Sequence, residues 1–512
     1  MYVRNFGSFI TINTILNSIP ILNPNVFKEA AASDDRRASG QAGRLEGIPF
    51  TVKDSFKVKG MTVSCGSPAF KNLISSEDAF TVSSIRAAGG VLIGKTNMPS
   101  MAYGGMQRGI YGRAESPSRV PGGCLYFRLV ERGKARKRLE SLGAEILLVP
   151  DCPAVTAYEN PELLQGVTGL PEKRQWTEKG PLIAHGWDLF LRSNGDLNTP
   201  NLASVDESNI YTDSLRTPAE LENQPTQNVI HWGKLVGYVR EGTGSMFDIK
   251  NLDAASIALD LMRKQLSDDY LERYRCDCFV FPAAGDVGSA DADVDLAHAA
   301  HAWANGVFCS TGNRALRHPG NPIVTVPTGM IPGKDMSIGL TFTGRGFDDE
   351  HLLKWANAFE AQTKLRSPTP HTPALPSDLI QLSSKSLSSK TRPHLLVTKC
   401  TSKRSTETAV LRVEFEGTVD VDSTGSKRPP AIQVAVDGQD VPDEQITIDR
   451  VANESGEGHS LYVFRGWEYT PGPPERREKD AAREQVCGDQ IMVVFLTRSS
   501  PSGLPAGFLS LM

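Results

Sequence analysis

A lysine stands at the end of a short apolar run near the start of the chain. Lys53 follows Phe50-Thr51-Val52, and Asp54 comes directly after it. Nucleophilic catalysis needs a nucleophile, a proton carrier and donors for the developing negative charge. A lysine amine can carry protons if it is neutral part of the time, and burial is what lowers its pKa. A lysine at the end of a strand is ordinarily exposed and has no catalytic role. A catalytic role for Lys53 therefore depends on the sequence around it.

Hydroxyl and thiol groups follow Lys53 in several loop-like segments. Ser64, Ser67, Ser116 and Ser118 stand among glycine, proline and polar residues, where serine usually serves turns. Gly104-Gly105 has no Lys-Ser/Thr partner after it, which argues against a phosphate-binding loop. None of these residues alone indicates a nucleophile.

Three segments carry a resemblance to a known family. They are Gly47 to Asp54, Ala87 to Pro99 and Gly104 to Pro117. Together they resemble the amidase-signature family of serine amide hydrolases, and most closely its fungal members. The resemblance implies an α/β/α sandwich around a mixed central sheet. It also implies hydrolysis of a small carboxamide by a serine, a second serine in a cis peptide, and a lysine. It implies no cofactor and no metal ion. By this resemblance, Lys53 corresponds to the catalytic lysine of the family.

The serine-bearing loops of that family have no counterpart in this sequence. Ser118 to Gly123 resembles the approach to the first loop, and Cys124 then stands in the place of its first serine. Ser141 to Glu145 resembles a segment that normally lies far downstream, so a long block is absent between about 124 and 128. A genuine deletion and a misplaced intron boundary both account for this gap. We therefore expect an inactive or impaired hydrolase.

Three other interpretations remain open. Cys124 could replace the nucleophile, because thiolates react well when activated, but no base or oxyanion donors accompany it. The chain could be a non-catalytic binding or scaffold protein that uses the retained cavity or a C-terminal domain. It could also be a defective product, because lost central strands leave open sheet edges.

Hydrophobic periodicity predicts the elements around these residues. Residues 81–88 have helical spacing, Gly89-Gly90 ends that helix, and Val91 to Gly94 follows as a buried strand, which is typical of an α/β protein. The segments Glu145–Val149, Leu235–Val239, Cys278–Pro282, Ile323–Pro327 and Gly339–Arg345 are further predicted strands. Ala254 to Leu271 and Asp349 to Leu365 are predicted helices.

The predicted organisation has four parts. An amidase-like domain runs through 1–123 and continues through 124–365, interrupted at the missing block. A linker rich in Pro, Ser, Thr and Lys spans 366–393. Residues 394–512 alternate apolar and polar side chains, as at Leu411, Val413 and Phe415, and predict a β-rich domain of unknown role.

Composition excludes several classes of protein. The 512 residues are 39% hydrophobic and 22% charged, with a net charge of −4, which fits a globular chain and argues against a nucleic-acid surface. No run is long and apolar enough for a membrane span, and no signal peptide is evident. Eight scattered cysteines fit a reducing, cytoplasmic location. His298 and His301 lack a third metal ligand in sequence, so a helix with an acidic flank is the favoured interpretation.

Overall fold

The architecture below is that of a computed structural model. It describes residues 13, 16–102, 108–114, 127–149, 178–217, 221–222, 232–242, 244–283, 287–289, 291–302, 316–331, 336–367, 392–404, 410–422, 429–451, 458–473, 484–499 and 504–512. Gly104-Gly105, Ser116, Ser118, Cys124 and most of the predicted linker lie outside the described residues. Contacts between residues divide the chain into two compact units. The first comprises 1–102, 108–115 and 374–512, and the second comprises 103–107 and 116–373.

The first unit begins with a small layer of helices and strands. Its elements are β1 (Ile21–Leu22), α1 (Val26–Ala38), β2 (Pro49–Lys53), α2 (Phe80–Ala87) and β3 (Val91–Thr96). The strands form one sheet in the order β1-β3-β2, in which β2 is parallel and β1 antiparallel to β3. The apolar run Val91-Leu92-Ile93 makes β3 the central strand, because both faces of a central strand are covered. This sheet is mixed, as the resemblance implies.

The rest of the first unit consists of antiparallel strands. They are β7 (His394–Arg404), β8 (Leu411–Asp422), β9 (Ala431–Val436), β10 (Gln439–Asp440), β11 (Ile446–Arg450), β12 (His459–Thr470), β13 (Met492–Arg498) and β14 (Pro505–Leu511). They form two sheets, in the orders β10-β9-β13-β14 and β11-β12-β8-β7. Side chains of alternating positions meet between the sheets, among them Val413, Phe415, Val434, Phe464 and Phe495. The predicted strands of residues 394–512 are therefore present.

These C-terminal strands pack on the N-terminal layer of the same unit. One apolar cluster contains Ile19, Leu22, Val26 and Val91 together with Cys487, Met492 and Val494. Arg392 adds polar contacts, because its Nη2 donates to the Ala31 carbonyl and to Asp35 Oδ1, each at 2.7 Å. The compact unit thus joins residues that the sequence-based boundaries at 123 and 394 assign to different domains.

The second unit contains seven described helices and one sheet. Its elements are α3 (Phe127–Ser141), α4 (Ile183–Asn194), α5 (Trp232–Glu241), α6 (Leu252–Arg263), α7 (Asp269–Tyr274), β4 (Phe279–Pro282), α8 (Leu296–Ala302), β5 (Ile323–Ile331), β6 (Met336–Thr343) and α9 (Asp349–Thr363). The strands are antiparallel in the order β4-β6-β5. One core joins Leu139 of α3, Phe342 of β6 and Phe359 of α9. Helices and sheets occur in both parts of the chain, so the predicted α/β class is confirmed.

Two predicted strands are wrong. Leu235–Val239 lies inside helix α5, where Trp232, Leu235, Val236 and Val239 are buried at helical spacing. Residues 145–149 are irregular and belong to no strand. His298 and His301 do lie in helix α8, and His298 Nδ1 is 2.8 Å from Asp291 Oδ1. Within the described ranges, no helix combines the length and apolarity that a bilayer crossing requires.

Candidate functional site

Lys53 is the last residue of β2. It is paired in register with Thr96 of β3, and the next backbone N–H, that of Asp54, donates to the Thr96 carbonyl at 3.1 Å. Lys53 is exposed whereas the preceding Val52 is buried, because successive side chains of a strand point to opposite faces. Its ammonium forms no hydrogen bond or ion pair with any described residue. The expected burial of Lys53 is therefore not found, and its catalytic role stays a prediction.

A second lysine lies on the neighbouring strand and is fully buried. Lys95 of β3 pairs in register with Val52, and its side chain has an exposed fraction of 0%. Its Nζ is 3.2 Å from Asp54 Oδ1 and donates to the Asp54 carbonyl at 3.1 Å. It also donates to the carbonyl of Thr62. Burial lowers the pKa of the Lys95 amine, and the Asp54 carboxylate acts in the opposite direction.

The other oxygen of Asp54 holds the turn that follows Thr62. Asp54 Oδ2 accepts from the Ser64 hydroxyl and from the Gly66 backbone N–H, the latter at 3.2 Å. We call Asp54, Thr62, Ser64 and Lys95 the buried lysine cluster. Tyr111 is buried beside it, and its pKa is raised by burial and then by the charge of Asp54. The cluster fixes the backbone on both sides of the strand end that carries Lys53.

The turn at 64–66 is tight, with Ser64 and Gly66 buried and Cys65 partly exposed. Cys65 has a φ of +52° and Gly66 a φ of +66°. A Cβ on Gly66 would lie 2.6 Å from the Met98 carbonyl oxygen, so only glycine fits there. Burial, aided by Asp54, raises the pKa of the Cys65 thiol to about 12. This thiol is protonated at neutral pH and is a poor nucleophile.

The serines in this region are structural. Ser64 and Ser67 are both fully buried, and the Ser64 hydroxyl is committed to Asp54. Their predicted place in a turn is therefore found. The amine of Lys53 is exposed, and the next residue, Asp54, belongs to the buried ion pair with Lys95. None of the described residues provides a nucleophile beside Lys53. Sequence reasoning missed the role of Lys95, although a lysine that directly follows the apolar run Val91-Leu92-Ile93-Gly94 in one strand indicates a buried partner.

Comparisons with known proteins concern mainly this region. Residues 7–124 match the amidase family. Over 118 residues the chain is 43% identical to the A subunit of the glutamyl-tRNA(Gln) amidotransferase of Coxiella burnetii (strain Dugway 5J108-111), a match that covers 22% of this chain and 24% of that protein. The corresponding protein of Pseudomonas aeruginosa (strain PAO1) is 42% identical over 122 residues, which is 23% of this chain and 25% of that protein. The chain thus spans about a quarter of the length of these relatives.

Solved structures resemble the chain more broadly but at low identity. A native peptide amidase from Stenotrophomonas maltophilia is 19% identical, with a TM-score of 0.41 over 71% of this chain and 95% of that chain. An amidase family protein from Bacillus anthracis str. Ames is 16% identical, with a TM-score of 0.42 over 69% of this chain and 85% of that chain.

Proposed function

Because residues 7–124 match the amidase family, we propose that this chain derives from hydrolases of small carboxamides. In this proposal Lys53 is the remaining member of a triad of serine, cis-peptide serine and lysine. The chain as it stands hydrolyses amides weakly or not at all. Its substrate, where any turnover remains, is a small-molecule amide.

The observation that carries the proposal is the state of Lys53. A lysine that relays protons needs burial and a hydroxyl partner, since burial favours the neutral amine. Lys53 is exposed and forms no hydrogen bond with a described serine or cysteine, while the nearby Ser64 is fully buried and bonded to Asp54. Loss of the nucleophile and its partner lowers the rate by about 10⁶-fold in other serine hydrolases. A chain with only the lysine is expected to fall near the uncatalysed rate.

The test is amide turnover by the purified full chain. We expect no release of aniline from anilides, and no release of ammonia from aliphatic primary amides, above the buffer rate. Lys53→Ala and Lys59→Ala serve as matched variants, because both lysines are exposed and lie in the same unit. Both variants are expected to give the same background as the parent chain.

Turnover that Lys53→Ala abolishes and Lys59→Ala leaves intact would contradict the proposal. It would mean that another nucleophile serves Lys53. Replacement of each remaining serine and cysteine in turn would then identify that nucleophile.

A further inference from the structure

A cavity of about 370 Å³ lies in the second unit, where β6 ends and α9 begins. Its lining residues come from the loop between the two elements, from the first turns of α9 and from the segment before β4. They are Asp277, Arg345, Gly346, Phe347, Asp348, His351 and Trp355. A volume of this size suits a small molecule. All of these lining residues belong to the second unit, whereas Lys53 belongs to the first.

Aromatic rings form much of the lining. His351 and Trp355 are stacked on successive turns of α9, with centroids 5.8 Å apart and planes 20° apart. Phe347 is 92% exposed and has a φ of +68°, a conformation that a bulky residue adopts at a cost in free energy. The Arg263 guanidinium carbon lies 5.8 Å from the Phe347 centroid, so this ring already contacts one cation.

The charges around the cavity are unbalanced. Arg345 Nη2 donates to the Cys276 carbonyl at 2.9 Å, so this guanidinium is held by backbone rather than by a carboxylate. The Asp277 carboxylate forms no ion pair with any described residue. The carboxylates of Asp277 and Asp348 and the guanidinium group of Arg345 line the cavity, which leaves an excess of one negative charge if His351 is neutral. Asp348 Oδ1 is 2.5 Å from His351 Nδ1, so Asp277 is the lining carboxylate without such a contact among the described residues.

We propose that this cavity binds a small organic cation, with its ammonium group against the rings of Phe347 and Trp355 and near the carboxylate of Asp277. Aromatic faces and a nearby carboxylate attract a quaternary or tertiary ammonium, because the ring quadrupole and the charge act in the same direction. This binding function is independent of amide hydrolysis.

Calorimetric titration of the full chain with choline tests the proposal. We expect saturable binding of choline and at least tenfold weaker binding of its neutral analogue, in which carbon replaces the quaternary nitrogen. Equal affinity for the two compounds, or no choline binding up to about 10 mM, would overturn the proposal.

Two variants and one control test whether choline binds in this cavity. Phe347→Ala is expected to weaken choline binding by about fivefold, because it removes one cation–π contact from an exposed position. Asp277→Asn is expected to weaken it by a similar factor and to leave the neutral analogue unaffected. Phe247→Ala is the matched control, since Phe247 is 79% exposed in the same unit and does not line the cavity. Choline affinity that all three variants leave unchanged would reject this site.

Discussion

The ion pair between Lys95 and Asp54 lies buried in the N-terminal layer. Both side chains have an exposed fraction of 0%, and their charged atoms are 3.2 Å apart. Burial removes the hydration of both charges, and the attraction between them offsets part of that cost in free energy. The Ser64 hydroxyl, the Gly66 N–H and the carbonyls of Asp54 and Thr62 complete the contacts. Such a pair tolerates the loss of either partner poorly.

Lys95→Met is therefore expected to lower the free energy of unfolding by about 3–5 kcal/mol, because it leaves Asp54 charged and unpaired in the interior. Lys53→Met is the matched control on the neighbouring strand. It is expected to change the stability by less than about 0.5 kcal/mol, because Lys53 is exposed. Urea unfolding of the full chain measures both values.

The double variant Lys95→Met/Asp54→Asn separates charge from packing. It is expected to regain part of the lost stability, because no unpaired charge remains. Equal stability of the Lys95→Met and Lys53→Met variants would contradict the burial of this pair.

Sequence reasoning located the right segment but not the environment of its residues. The run Pro49 to Asp54 places Lys53 at a strand end, and the structure has that strand. Whether the lysine is buried depends on which chain segment covers β2, and no local pattern encodes that. Lys95 was detectable in principle, because a charged residue within an apolar strand requires a partner.

At the scale of elements, helix α5 shows where a short apolar run is ambiguous. Leu235-Val236-Gly237-Tyr238-Val239 has the β-branched and aromatic content of a strand. The structure makes it helical, because Trp232, four residues before Val236, completes a buried stripe and stacks on Tyr211 with centroids 5.3 Å apart. The predicted strand begins at Leu235 and therefore leaves out Trp232. The longer alternations of β8 and β12 were predictable, since they extend over 12 residues each.

Two glycines test the helical assignment of α5. Gly237 lies inside the helix with open space at its Cβ position, and Gly242 follows the helix with a φ of +90°. Gly237→Ala is expected to raise the free energy of unfolding by about 0.5–1 kcal/mol, since alanine is the better helix former. Gly242→Ala is expected to lower it by about 1 kcal/mol, because alanine resists positive φ. Thermal unfolding of the full chain distinguishes the two directions, and a loss at both positions would count against the helix.

At the scale of the whole molecule, the C-terminal strands and the N-terminal layer form one compact unit. The apolar side chains of Leu22 and Val26 meet those of Met492 and Val494, and Arg392 contacts the end of α1. The sequence indicates the strands but not this packing, because contacts between residues several hundred positions apart leave no local pattern. The boundary predicted between 365 and 394 reflects a change of composition in the intervening segment. The chain passes from the second unit to the first between residues 373 and 374, which lie inside that segment.

Arg392 provides a direct test of this packing in the full chain. Arg392→Ala removes its bonds to the Ala31 carbonyl and to Asp35, each 2.7 Å long. Charged hydrogen bonds contribute about 1.5–3 kcal/mol, so amide exchange within α1 is expected to accelerate by about 10- to 100-fold.

Helix α9 of the second unit serves as an internal reference and is expected to keep its exchange rates. Arg366→Ala is the matched control, because the Arg366–Glu360 ion pair is exposed and such pairs contribute little. Exchange in α1 that is the same in both variants would show that the contacts of Arg392 do not stabilise this helix.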